Sequence, residues 1–121
     1  MDDLLFSKQH IWLAVEEGTT VKLGLSDYAQ KKLGTIVFIN LPEAGEELEK
    51  NGCFGDVESI KTVTDLISPV NGEVLRVNEE ILDTPENINV DPYTNWLLEV
   101  STENLDDLMN ADDYAAYLEQ L

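Results

Sequence analysis

The sequence is short of cysteine, histidine and basic residues, and each shortage removes a class of function. Cys53 is the one cysteine, which excludes an internal disulfide and a CxxC metal or redox pair. His10 is the one histidine and stands far along the chain from Cys53, so we expect it to pack or hydrogen-bond rather than act as a catalytic base. Without a His and Cys cluster or EF-hand spacing, we expect no metal site. The sequence therefore predicts no catalytic residues and a protein that is not an enzyme.

Other familiar patterns are also missing. There is no apolar run of the ~18 residues that a membrane span needs, and no G-x-G-x-x-G or Walker loop. The start, Met1-Asp2-Asp3-Leu4-Leu5, is acidic rather than basic and lacks a signal-peptide pattern. We therefore expect a cytoplasmic bacterial protein. An imported organellar protein whose presequence has been removed stays open as the alternative.

Positive charge is scarce: seven basic residues face 25 acidic ones, for a net charge of −18. Nucleic acid and anionic membranes are excluded as expected partners, because their phosphates would be repelled. Basic protein surfaces are the expected partners, with encounter accelerated by the opposite charge. The alternative explanation is that the charge serves solubility alone.

The length of 121 residues predicts a single domain, residues 1–121. Within it the sequence predicts a series of short strands. Alternating or β-branched runs are bounded by Gly, Pro and Asn, with a short helix predicted after Ser26 and ending at Gly34. The predicted strands are Ile11–Val15, Thr19–Gly24, Thr35–Asn40, Cys53–Val57, Val63–Val70, Glu73–Val77 and Trp96–Val100. This spacing lacks a βαβ rhythm and predicts a mainly β fold, a flattened barrel or sandwich with short peripheral helices.

The C-terminal part of the sequence has a different period. Leu105, Leu108 and Met109 are spaced for one helical face, and a similar spacing follows from Tyr114 to the end. We therefore expect C-terminal helices at about 103–121, the last of them capped near Asp112.

Lys61 lies between two of the predicted strands. The strands on either side are short and bounded by Gly and Pro, which favours a hairpin with Lys61 at or near its tip. A lysine at such a tip is a protruding amine, suited to an enzyme that acylates one chosen lysine. A solubilising charge is the alternative reading of an exposed turn lysine.

Several separated motifs resemble the glycine cleavage system H protein family, in the family order and over almost the whole chain. The signal is specific because the motifs occur together, whereas Glu58-Ser59-Ile60-Lys61 alone would be a weak one. The motifs are His10-Ile11-Trp12, Gly24–Gln30, Leu33–Phe38, Leu41–Gly45, Glu58-Ser59-Ile60-Lys61, Asp65, Ser68–Val74, Asn89, Pro92-Tyr93 and Trp96-Leu97.

The resemblance implies a lipoyl-domain fold of the hybrid-motif type and a covalent lipoyl group on Lys61. The arm would carry an aminomethyl group from a pyridoxal-phosphate glycine decarboxylase to a tetrahydrofolate-dependent aminomethyltransferase, and dihydrolipoyl dehydrogenase would reoxidise it. A lipoate ligase or lipoyl transferase would attach it, helped by Glu58, Ser59 and Ile60, and Asp65 would border the cleft that shelters the loaded arm. One cysteine is too few to cycle as a dithiol, so the redox pair would come from the attached group.

The chain departs from the family pattern at three places. Ile11 replaces an acidic residue that lies near the cargo cleft in the family, Asn95 replaces a glycine, and Thr35 replaces an acidic residue. These departures leave open a carrier used for lipoate relay or regulation outside full glycine cleavage. An unmodified acidic interaction module is a third reading. A biotinyl carrier is disfavoured, because methionines usually flank the biotinylated lysine and here the neighbours are Ile60 and Thr62.

Overall fold

The computed structural model describes residues 4–121, which form nine strands and four short helices. The acidic start, on which the expectation of no signal peptide depends, falls mostly on residues 1–3, outside the described part. The strands are β1 (Leu5–Phe6), β2 (Ile11–Val15), β3 (Thr20–Leu25), β4 (Ile36–Asn40), β5 (Glu47–Leu48), β6 (Cys53–Ser59), β7 (Val63–Ile67), β8 (Gly72–Val77) and β9 (Leu98–Ser101). The helices are α1 (Asp27–Leu33), α2 (Glu79–Asp83), α3 (Asn87–Val90) and α4 (Ala111–Leu118).

The strands form two antiparallel sheets. One has six strands in the order β1-β2-β3-β9-β8-β5, and the other has three in the order β4-β6-β7. A single cluster of buried apolar residues joins both, including Leu13 and Val100 from the first sheet and Ile39 and Val57 from the second. Two sheets that share one core between their inner faces form a sandwich. The mainly β fold class is confirmed.

Local signals explain the first hairpin and the helix after it. Strands β2 and β3 pair from Ile11↔Leu25 to Val15↔Val21, and the turn between them uses Gly18 at a φ of 57°. Helix α1 begins where the Ser26 hydroxyl accepts a hydrogen bond from the Ala29 amide at 3.2 Å. It ends at Gly34, whose φ of 77° favours glycine.

The three-stranded sheet has one buried and one solvent face. Ile39, Val57 and Leu66 are 3%, 0% and 2% exposed and fill the inner face. Their sequence neighbours on the strands point to the other side, because side chains alternate along a strand. This sheet carries the Lys61 turn at one end.

The prediction of helices at about 103–121 is wrong for its first half. Helix α4 covers Ala111–Leu118 alone, and its cap is Asn110 rather than Asp112: the Asn110 side chain accepts from the Asp113 amide at 2.8 Å. The residues before it form turns and one bridge to β1. Within residues 4–121, none of the helices is long and apolar enough to cross a membrane.

Candidate functional site

Lys61 lies in the turn between β6 and β7, as the sequence predicted. The last paired residues of the two strands are Glu58 and Val63, so the turn between them is Ser59 to Thr62. The Ser59 amide donates to the Thr62 carbonyl at 2.8 Å and closes the turn.

The Ser59 hydroxyl fixes the backbone of the turn. Its oxygen accepts hydrogen bonds from the amides of Lys61 and Thr62, each at 3.2 Å. The Ile60 amide donates to the Thr35 carbonyl at 3.0 Å, which ties the tip to the segment between α1 and β4. These bonds hold the Lys61 backbone in one place while its side chain stays exposed.

The Lys61 side chain lies across the C-terminal end of α1. Its Nζ is 3.4 Å from the carbonyl oxygen of Lys32, and the partial negative charge at a helix C-terminus favours an ammonium group there. Gly34 makes room for the lysine stem, because a Cβ at that position would lie 3.3 Å from Lys61 Cε. Within the described part of the chain, the polar contact of the Lys61 amine is therefore this one long hydrogen bond to a backbone carbonyl.

The other five lysines differ from Lys61 in their contacts. Each has a carboxylate or an aromatic ring as partner: Lys22 with Glu16 at 3.4 Å, Lys31 with Asp27 at 2.9 Å, Lys50 with Asp107 at 2.7 Å, Lys8 with the Tyr117 ring at 6.0 Å and Lys32 with the Tyr28 ring at 5.8 Å. Among residues 4–121, Lys61 forms neither kind of contact.

The other predicted site residues are Ser59, Glu58 and Asp65, and all three lie on the hairpin that carries Lys61. Ser59 contacts the Lys61 backbone directly. Glu58 is half-buried in β6, and Asp65 is exposed in β7, where it is paired with Asp56. Neither carboxylate forms an ion pair or hydrogen bond with Lys61 in the described structure.

A cavity of about 790 Å³ lies beside α1, between that helix, β1 and α4. Its walls include Asp27, Tyr28 and Lys31 from α1 and Tyr114 from α4. Tyr28 is one helical turn, or about 6 Å along the axis, from the Lys32 carbonyl that Lys61 contacts. The cavity therefore begins within a short distance of the hairpin tip.

Tyr114 holds α4 against this cavity. Its hydroxyl is 2.8 Å from His10 Nδ1 and 2.8 Å from Ser26 Oγ, and its ring stacks on Phe6 at a centroid distance of 4.3 Å. Burial raises the pKa of Tyr114 to about 12, so the hydroxyl stays protonated at physiological pH. Burial also lowers the pKa of His10, which favours the neutral ring. His10 is a hydrogen-bonding residue, as expected.

The tertiary contacts of α4 were missed at the sequence level. The spacing of its apolar residues predicted a helix, but nothing local tells that Tyr114 meets His10, 104 residues away. Cys53 begins β6, in a run whose composition suggests a small apolar strand residue, but its side chain is exposed. Among residues 4–121, no group of three or more His, Cys, Asp or Glu is arranged to hold a metal ion.

Comparison with known proteins shows which family this chain resembles. A family model described as the glycine cleavage H-protein matches residues 4–121. A glycine cleavage system H protein from Clostridioides difficile is 48% identical, with 98% of each chain covered. A probable glycine cleavage system H protein from Pyrococcus horikoshii is 44% identical over 99% of this chain and 92% of the relative. The crystal structure of a glycine cleavage system H protein from Mycobacterium marinum superimposes with a TM-score of 0.91 at 35% identity, covering 98% of each chain.

Proposed function

The chain belongs to the glycine cleavage H-protein family, and from this we propose that it is a lipoyl carrier with its arm on Lys61. The observation that carries the proposal is the setting of this lysine. It is exposed at the tip of a hydrogen-bonded hairpin and has no carboxylate or ring partner among the described residues. Gly34 leaves room for the lysine stem, and the exposed amine is accessible to an enzyme that would acylate it.

A lipoyl group bound there would supply a dithiolane that accepts electrons and an aminomethyl group and returns as a dithiol. The residues of the chain itself would position the attachment point of the arm. Ser59 and the Thr35 carbonyl hold the turn, so that the attachment point stays rigid while the arm moves. The protein would act as a non-catalytic carrier, because the attached cofactor would supply the chemistry.

We propose that the cavity beside α1 shelters the loaded end of the arm. It begins one helical turn from the Lys32 carbonyl, and its wall carries the carboxylate of Asp27. The Lys31 ammonium, 2.9 Å away, and a hydrogen bond from Gln30 keep the pKa of Asp27 below its ordinary value, so this group stays negative. The Asp112 carboxylate of α4 also lies in the wall, so with Lys31 counted the lining keeps one net negative charge, which favours an amine-bearing cargo. Asp65, on the hairpin, would serve recognition rather than line this wall.

The proposed partners are those of the glycine cleavage system. They are a pyridoxal-phosphate glycine decarboxylase, a tetrahydrofolate-dependent aminomethyltransferase, dihydrolipoyl dehydrogenase and the lipoate ligase or lipoyl transferase that loads Lys61. A cytoplasmic location is also proposed, in line with relatives from bacteria and archaea.

The departures from the family pattern give little support to a relay role. Ile11 is 1% exposed and belongs to the core, so its identity says nothing about the cavity. The Asn95 side chain donates to the carbonyls of Asn87 and Asp91 and stabilises its own loop. Thr35 acts through its backbone carbonyl. Glycine cleavage is therefore the proposed role.

The proposal is tested by loading the protein in two steps. With lipoate, ATP and a lipoate ligase, the intact mass should rise by one lipoyl group per chain. With glycine and glycine decarboxylase added, the lipoylated form should gain one aminomethyl group. If it takes the lipoyl group but no aminomethyl group, while a conventional H protein takes both, the relay is the better assignment. If it takes neither, the carrier proposal fails.

Salt should slow the capture of a basic partner enzyme. The net charge of −18 attracts positive surfaces, and screening shortens the Debye length to about 8 Å at physiological ionic strength. Stopped-flow association with the decarboxylase should show an on-rate that falls with added salt and an off-rate that changes little. A salt-independent on-rate would leave the charge as a solubility feature.

A further inference from the structure

The solvent-facing side of the β4-β6-β7 sheet, its outer face, begins at the Lys61 turn. The side chains on this face are arranged in rows across the three strands. Directly paired residues of neighbouring strands share a face, so the register gives two rows across this sheet. The row beside the turn is Phe38, Glu58 and Val63, and the next row is Asn40, Asp56 and Asp65. We call these six residues the outer-face array.

The apolar members of the array are open to solvent. Phe38 is 47% exposed and Val63 is 58% exposed, and Ile60 at the tip is 69% exposed. The fold does not need them there, because the opposite face of the same sheet fills the core with Val57 and its neighbours. These exposed apolar residues are grouped at the turn end of one sheet, and grouped apolar residues rimmed by polar ones mark protein interaction sites, whereas scattered ones do not.

The charged members of the array are of one sign and lack cations. Strands β4, β6 and β7 contain no lysine or arginine, and no carboxylate of the array takes part in an ion pair among residues 4–121. Asp56 and Asp65 stand directly opposite each other, and like charges in that position destabilise a sheet. A partner that brings arginine or lysine would relieve this repulsion.

We propose that the outer-face array docks the enzyme that acylates Lys61, through an apolar contact rimmed by basic side chains of that enzyme. The inference depends on the proposed function and adds the surface that the loading enzyme reads. Outside the turn, Phe38 and Val63 would form the apolar contact with the loading enzyme. Asp65 would pair with one of its basic side chains.

The chemistry of attachment explains why the occupant is the loading enzyme. The neutral Lys61 amine attacks the carbonyl carbon of a mixed anhydride of lipoate and AMP. An amide C–N bond forms, the bond from that carbon to the phosphate oxygen breaks, AMP leaves, and the nitrogen releases one proton. The carbonyl carbon must come within bonding distance of Nζ, so the enzyme has to cover the flanks of the hairpin. Enzymes that act on the far end of the arm have no such requirement.

The apolar contact is tested with the double variant Phe38→Thr, Val63→Thr. Threonine keeps strand propensity, and both sites are exposed, so the fold should be retained. The matched control is Val15→Thr, a 50% exposed strand residue of the other sheet. Initial lipoylation rates by intact mass should show a KM about tenfold higher for the double variant, which corresponds to about 1.4 kcal/mol, with kcat unchanged. The control should match the unaltered protein.

The charge is tested with Asp65→Asn, controlled by Glu73→Gln in the other sheet. Because it removes the Asp56–Asp65 repulsion, Asp65→Asn should raise the melting temperature slightly while it raises the KM for lipoylation. The dependence of that KM on salt should weaken. A residue with a purely structural role would not improve folding and impair loading together.

The outcomes separate this inference from the proposed function. If the unaltered protein is lipoylated and all three changes in the array leave the KM untouched, the docking surface is wrong and the carrier proposal stands. If the array variants load normally but bind the decarboxylase more weakly, the face belongs to another partner and the inference is overturned. If the unaltered protein is never lipoylated, the carrier proposal itself fails.

Discussion

With Lys61 replaced by arginine, the protein should fold as before and gain no lipoyl mass. Arginine keeps the positive charge and the long stem, so the contact with the Lys32 carbonyl at the end of α1 can persist. The guanidinium stays protonated at all physiological pH values and has no free lone pair to attack an acyl donor. Lipoylation should therefore fall from one group per chain to none. The exposed site makes a stability change of more than about 0.5 kcal/mol unexpected.

The same experiment has two built-in controls. Lys32→Arg alters a lysine beside the site, and Lys50→Arg alters a lysine that pairs with Asp107 elsewhere on the surface. Both variants should be fully lipoylated, as judged by intact mass and peptide mapping. A lipoyl group found on Lys61→Arg, at Lys32 or at any other lysine, would show that the hairpin does not select the modified residue.

The setting of Lys61 could be predicted because its signals are local. Strand-like runs on both sides and a polar turn between them specify a hairpin, and the Ser26 cap and Gly34 stop specify α1. What holds the turn could not be predicted. The bond from the Ile60 amide to the Thr35 carbonyl depends on how α1 and β4 pack against the hairpin.

The segment before α4 shows why a helical period can mislead. Leu105, Leu108 and Met109 have helical spacing, yet Asp107 lies in the left-handed region at a φ of 67° and interrupts any helix. Met109 then exchanges backbone hydrogen bonds with Phe6 at 2.8 Å in both directions. Strand β1 has two residues, too few to show a period, so neither side of this pairing was visible in the sequence.

The family pattern associates position 11 with the cargo cleft, but in this chain Ile11 does not line the cavity beside α1. Ile11 is 1% exposed, lies in the apolar cluster between the sheets and pairs with Leu25 across β2 and β3. A carboxylate there would meet apolar side chains. A glutamate at this position would therefore act on the stability of the fold.

Ile11→Glu should lower the free energy of unfolding by about 4 kcal/mol at pH 8. Losing a buried isoleucine side chain costs about 1.5–3 kcal/mol, and an unpaired buried carboxyl adds a comparable cost. This total is a large part of the free energy of unfolding of a typical domain, which is about 5–15 kcal/mol. Urea unfolding followed by circular dichroism measures it, with Ile11→Val as the mild reference at about 1 kcal/mol.

The pH dependence identifies the cause of that loss. Burial raises the pKa of the introduced carboxyl in the folded state above its unfolded value of about 4.3. The contribution of this carboxyl to stability is most favourable below pH 4.3 and falls as the pH rises through its folded pKa, so the deficit relative to the unaltered protein should be smaller at pH 5 than at pH 8. Ile11→Gln has a similar shape without the charge, and its deficit should be the same at both pH values. If Ile11→Glu were as stable as the unaltered protein at pH 8, the side chain at position 11 would reach solvent, and its place in the apolar core would be refuted.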